Sequence, residues 1–429
     1  MVSRRGALLL AAGGFALLSP PATRPPAPRV VPTPSLRPRL EALLAARADA
    51  LLRRDEAALL AGVTPAAAAE ARTLLERLAE VPLAELTYRL TGYGEPSAGT
   101  AIEASAGEAS AGSVPGPSAV PPPGLRVTAA VELRYRLTGV DAYPAVLTRT
   151  VEFAEAGQGW RVASEGAAGP VALWDLGAVK VAKGARSLVL GLGEVAPAAG
   201  LADAAVPAVS ELWGQEWAGR LLLEIPSSEA QFAQLLGVRA ADYQGIAAVT
   251  TAATGAPEHA AADRVVVNPE AYAELTELGR HVVTTHEATH VATRAATKAW
   301  TPLWLSEGAA DYTAYRRTGR TPRQIAPELA HDVQAGKLPA ALPADADFTA
   351  GGAGIAQAYE QGWAACRLIA DRYGEPALTS FYRAVGAAGP TGGRDPWLDG
   401  LLRSHLGLGL DAFVAAWRAE LTTMFGRAT

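Results

Sequence analysis

The chain has 429 residues, 49% of them hydrophobic and 19% charged, with a net charge of −5. That length exceeds one ordinary domain and fits two or three, and the apolar fraction excludes a disordered chain. The slightly acidic balance argues against a nucleic-acid partner, which would require a basic face.

The N-terminus carries Arg4 and Arg5, an apolar run from Ala7 to Leu18, then small residues and prolines. A basic start before a short apolar run predicts an export signal over residues 1–22, and the run is too short for a comfortable membrane span. The Ser-Arg-Arg word resembles a twin-arginine signal, so an extracytoplasmic location, secreted or in the cell envelope, is expected. No integral membrane span is expected beyond that segment. Residues 23–35 are proline-rich and read as an extended linker.

From Leu36 to Leu78, Ala, Leu and Arg recur at helical spacing and predict two helices. Four stretches then alternate with a period of two, at 83–92, 125–139, 145–157 and 159–166, and predict an antiparallel sheet. Residues 93–124, rich in Gly, Ala, Ser and Pro, read as a disordered loop between the first two strands. This order of helices and strands resembles the NTF2-like fold, an α+β cone, over residues 36–169. The resemblance is architectural only and implies no activity.

Beyond Val171 the pattern predicts a mixed sheet. One or two strands are followed by a helix at 201–217, a strand in "GRLLLEIP", a helix in "SSEAQFAQLLG", and strands in "GIAAVTT" and "DRVVVN". After Asn268 the chain reads as helical nearly to its end. Residues 171–429 are therefore expected to be a second α+β domain, a sheet followed by a helical half.

At that junction lies "RHVVTTHEATH", which holds three of the chain's six histidines. His286 and His290, four apart, share one helix face and can aim ring nitrogens at one point, with Glu287 beside that face. Zinc suits such nitrogen donors, and a catalytic zinc site uses three protein ligands. Glu307 in "WLSEGAADY", seventeen residues beyond His290 on an expected second helix, is the candidate third ligand. Asp311, one turn further on, could accept the other ring proton of a ligand histidine and fix its tautomer. The cofactor expected is therefore Zn2+, on His286, His290 and Glu307.

"HEATH" together with "WLSEGAADY" resembles the gluzincin metallopeptidases, specifically the peptidase MA-like group related to aminopeptidases. The later segment "AYEQGWAACRLIADRYG" is similar to that group's helix bearing an oxyanion-stabilising tyrosine. The resemblance implies that Tyr359 has this role and that Glu287 is the general base; Gln361 stands where the group usually has lysine. It also implies a peptide or protein substrate, cleaved by metal-activated water in a zinc cleft between sheet and helices. The Gly-x-Met-Glu-Asn segment with which aminopeptidases hold a free amine is absent before His286, which points to an endopeptidase. The alternative is a zinc-containing binding or scaffold protein without peptidase activity.

Other residues are expected to have ordinary roles. Cys366 is the only cysteine, which excludes an intramolecular disulfide and a thiolate metal cluster, and its apolar helical context predicts a buried small residue. Trp300, Trp304 and Trp363 read as packing anchors, and Tyr312 as a core residue that could instead line the site. His259, His281, His331 and His405 read as surface, core or supporting residues outside the ligand set.

Overall fold

The computed structural model describes residues 36–98, 124–157, 159–243, 245–251, 259–349, 352 and 354–426. The expected signal at 1–22, the linker at 23–35 and most of the expected loop at 93–124 lie outside them. The described chain divides into two compact units, one of residues 36–138 and 144–175, the other of residues 139–143 and 176–426. Both are α+β.

The smaller unit begins with α1 (Leu36–Arg53), α2 (Glu56–Ala61) and α3 (Ala68–Leu78). Three helices stand where the sequence predicted two, because the chain breaks at Arg54 (φ 60°) and Asp55 then caps α2 by accepting from Ala58 N. The strands β1 (Leu83–Tyr93), β2 (Ser97–Ala98), β3 (Leu125–Leu137), β4 (Ala145–Ala156) and β5 (Gly159–Ala167) follow. All their pairings are antiparallel, in the order β1-β3-β4-β5 with β2 also on β3. β1 and β2 thus extend into the first residues of the stretch read as a loop. In β3 the buried residues alternate, Val127, Ala129, Val131, Leu133, Tyr135 and Leu137, which is the pattern of a sheet with one face packed. The short helix α4 (Leu173–Leu176) presents Trp174, whose ring meets Tyr135 edge-on at 4.8 Å.

The larger unit opens with β6 (Lys180–Lys183) and β7 (Ser187–Gly191), then α5 (Ala196–Trp213), β8 (Leu221–Ile225), α6 (Glu229–Leu236), β9 (Ala248–Thr251) and β10 (Arg264–Val267). The sheet order is β6-β7-β8-β10-β9. The central pairs β7–β8 and β8–β10 are parallel, and both edge strands are antiparallel. β7 and β10 are buried throughout, as expected of parallel strands covered on both faces.

The helical half comprises α7 (Pro269–Ala273), α8 (Glu277–Thr293), α9 (Leu303–Tyr315), α10 (Pro322–Ile325), α11 (Pro327–Gln334), α12 (Ile355–Tyr373), α13 (Glu375–Ala387), α14 (Arg394–Leu406) and α15 (Leu410–Phe425). α8 starts at Thr276, whose side chain accepts from Gly279 N. Its interior is unusually polar yet buried. Thr284, Thr285, Thr289 and Thr293 each donate to the carbonyl four residues earlier at 2.8–2.9 Å, so their hydroxyls are satisfied within the helix. α9 is buried on all sides from Trp304 to Tyr315, which makes it the central helix of this half. Cys366 is fully buried on α12. Among the described residues no helix is long and apolar enough to cross a membrane.

Candidate metal centre

α8 and α9 pack against one another, and α12 packs along α9. The close approach of α9 and α12 depends on two glycines. A Cβ at Gly362 would lie 2.7 Å from the carbonyl oxygen of Trp304, so this position of "YEQGW" must lack a side chain. One turn before Gly362, Tyr359 faces the α8–α9 junction.

At that junction one donor atom each from His286, His290 and Glu307 lies within 4.8 Å of the others. The two Nε2 atoms are 3.0 Å apart, and Glu307 Oε2 is 3.2 Å from His286 Nε2 and 3.4 Å from His290 Nε2. Neither buried oxygen of Glu307 has a properly directed hydrogen-bond donor. Two imidazole nitrogens and a carboxylate converging on one buried point are what a bound cation would satisfy, and two nitrogens with one oxygen suit zinc. The residues present therefore fit the metal that the sequence implied.

Asp311 sits behind His286, its Oδ1 2.8 Å from Nδ1. That contact directs the imidazole proton to Nδ1 and turns Nε2 toward Glu307 and His290. Burial by itself disfavours a charged His286 ring, but the bond to Asp311 and the adjacent Glu307 carboxylate raise its pKa well above the ordinary value. Burial alone would likewise raise the Glu307 carboxyl, yet the neighbouring His290 and His286 hold it at about 2. The site thus keeps its carboxylate ionised.

Glu287 is fully buried and outside the converging set. Its Oε2 accepts a 2.7 Å hydrogen bond from Thr250 Oγ1 on the edge strand β9, while Oε1 has no partner. Tyr359 is 5% exposed, and its hydroxyl also has no partner. Its ring lies 6.3 Å from that of His286 and 5.2 Å from that of Phe348. Burial, then the charges of Glu307, Asp311 and Glu287, push its pKa well up, so it stays a phenol able to donate.

Thr250 is the residue the sequence did not single out. The alternation in "GIAAVTT" placed it on a strand, but nothing local showed that the strand's edge position would bring it against α8. Glu360, beside Tyr359, faces elsewhere and accepts from the backbone of Glu328 and Leu329 at the start of α11.

Tyr312 does not reach the site; its hydroxyl donates to Glu375 at 3.0 Å. Trp304 and Trp363 are packed in the core, and Trp300 Nε1 donates to Val385 O. His281 belongs to another turn of α8, His331 is exposed, His259 stacks on Tyr143, and His405 lies against Phe381.

No protein-family model matches the chain, and no curated protein matches it in sequence. Among solved structures, the chain is similar to a two-domain M1 zinc metallopeptidase mutant bound to L-arginine, at 16% identity over 71% of this chain and 62% of that one, with a TM-score of 0.33. It is likewise similar to an M1 zinc metallopeptidase mutant from Deinococcus radiodurans bound to a Tyr-Ser-Ala substrate, at 14% identity, the same coverages and a TM-score of 0.33. The chain spans less than two thirds of the length of either, and so loose a superposition leaves the chemistry to rest on the site itself.

Proposed function

We propose that the protein is an exported zinc-dependent peptidase of gluzincin type, an endopeptidase in preference to an aminopeptidase, working outside the cytoplasm. The observation that carries this reading is the pair of unpartnered buried atoms, Glu287 Oε1 and Tyr359 Oη, beside the converging donors of His286, His290 and Glu307. A site that only stored a metal would need neither.

His286, His290 and Glu307 would hold a zinc ion, which when bound would supply the Lewis acidity that acidifies water and polarises a carbonyl. Glu287 takes the proton of the attacking water on Oε1 and delivers it to the leaving amine. Thr250 holds the other carboxylate oxygen and so fixes which one is free. Tyr359 donates to the oxygen on which charge develops, an interaction that strengthens as the carbonyl becomes tetrahedral. Asp311 keeps His286 in the required tautomer. The edge strand β9 offers backbone groups to which an extended peptide could pair by strand addition. We read the smaller unit as an NTF2-like cone because its helices precede and pack on an antiparallel sheet.

One observation favours the alternative, a zinc-holding binding or scaffold protein: the site is almost closed, with His286 and Glu287 at 0% exposure and His290 at 9%. Hydrolysis of a broad peptide library by the wild type and by Glu287→Gln, at matched zinc occupancy, separates the two. Cleavage that collapses in the variant supports the peptidase. A wild type that holds zinc and cleaves nothing supports the alternative.

A further inference from the structure

The smaller unit contains a cavity of about 360 Å³ between α1, α3 and the sheet. That is within the range of small-molecule sites. Its walls mix aliphatic side chains such as Leu51, Leu74 and Leu133 with charged groups that are scarcely exposed, Arg47 at 7% and Arg149 at 3%.

Each of these arginines already has a carboxylate. Arg47 Nε donates to Glu165 Oε2 at 2.9 Å, and Tyr88 Oη donates to Glu165 as well. Arg149 Nη2 lies 2.8 Å from Asp175 Oδ2, which also accepts from Ala172 N. Among the buried side-chain atoms of this wall, the two left without a partner are both donors, Arg47 Nη1 and Arg149 Nε. An unmet guanidinium donor away from water is costly. Buried ion pairs contribute little net stability compared with apolar packing, so stability alone does not account for two of them in one cavity wall.

We propose that this cavity is a binding site for a small carboxylate with an apolar body. The carboxylate completes the donors of Arg47 and Arg149 through charge-assisted hydrogen bonds, the strong kind that an alcohol or amine cannot form there. The leucine side chains take the apolar body. The site is independent of the peptidase reading, since every group of that chemistry lies in the other unit.

The test is calorimetric titration of the full chain with three probes of one shape and different heads: phenylacetate, 2-phenylethanol and phenethylamine. Saturable one-to-one binding of phenylacetate, at least tenfold tighter than of the other two, is expected. Arg149→Lys keeps the charge opposite Asp175 but removes Nε, and should weaken phenylacetate tenfold or more with the zinc content unchanged. Should that variant fail to fold, the ranking of the three probes on the wild type still decides. Because a carboxylate can also seek zinc, the titration is repeated on His290→Ala, where binding should persist. No binding, equal binding of all three heads, or binding lost with His290 would overturn the proposal.

Discussion

Gly308 on α9 and Gly362 on α12 meet so closely that a Cβ on Gly308 would fall 2.2 Å from the carbonyl oxygen of Gly362. Gly308 follows Glu307, and Gly362 lies one turn beyond Tyr359, so one backbone contact sets the spacing between the converging donors of His286, His290 and Glu307 and the tyrosine. Gly308→Ala must push the helices apart. Overpacking of this kind costs about 1–3 kcal/mol or more, so the variant should melt several degrees lower and lose peptide hydrolysis beyond its loss of folded protein. Melting and activity equal to wild type would mean that the helices have slack.

Metal content tests the donor set directly. The purified wild type should hold about one zinc per chain, as three donors around one point require. His290→Ala and Glu307→Ala should each lose most of it, while Asp311→Asn, which keeps a partner for His286, should retain more than either. A chelator should abolish hydrolysis, and added zinc should restore it. Metal content unchanged in His290→Ala would remove that residue from the set.

Thr250 and Tyr359 separate positioning from binding. Thr250→Val removes the 2.7 Å bond to Glu287 and leaves the carboxylate free to turn, so kcat should fall about tenfold with KM and zinc content little changed. Thr250→Ser, which keeps the hydroxyl, should recover most of the rate. Tyr359→Phe removes a donor to the developing oxyanion and should lower kcat about a hundred- to a thousandfold. A fall in zinc content parallel to activity in either variant would instead indicate a structural role.

Glu360 should make stability pH-dependent. Burial, opposed by backbone bonds from Leu329 and Glu328, raises its pKa from 4.5 to about 8. The folded state therefore binds a proton that the unfolded chain releases at lower pH. The contribution is fully present below pH 4.5 and is lost as pH rises through about 8. Chemical denaturation across that window should show wild-type stability declining, and Glu360→Gln should flatten this part of the decline. An identical slope in the variant would show that Glu360 ionises as freely in the folded protein as in the unfolded chain.

Asp141 should matter far more than its position between two strands suggests. It belongs to the larger unit, where it is 6% exposed and pairs with Arg264 at 2.8 and 2.9 Å. Removing one partner of a buried ion pair costs about 3–5 kcal/mol, so Asp141→Ala should lower the denaturation midpoint of the larger unit markedly. For the same reason a chain starting near residue 170, which lacks Asp141, should fold less stably than the larger unit does in the full chain. A variant with wild-type stability would place Asp141 in a well-solvated setting.

The sequence alone determined what depends on spacing along one element. Four residues between His286 and His290 put both rings on one helix face, and the same interval places Asp311 one turn from Glu307. The period-two stretches located the strands of the smaller unit, and the uninterrupted apolar runs located the buried strands of the larger. Helix ends were less legible: α5 runs from Ala196 to Trp213 where the pattern suggested 201–217, because alanine-rich turns carry no sharp boundary. Tertiary structure alone decided what depends on distant segments meeting. Thr250 reaches Glu287 only because β9 is added antiparallel at the sheet edge beside α8, and Arg264 meets Asp141 across 123 positions. Gly308 and Gly362 are ordinary helical glycines until two backbones are pressed together. Local periodicity records which face of an element is apolar, but the partner that covers that face is fixed only when the chain closes on itself.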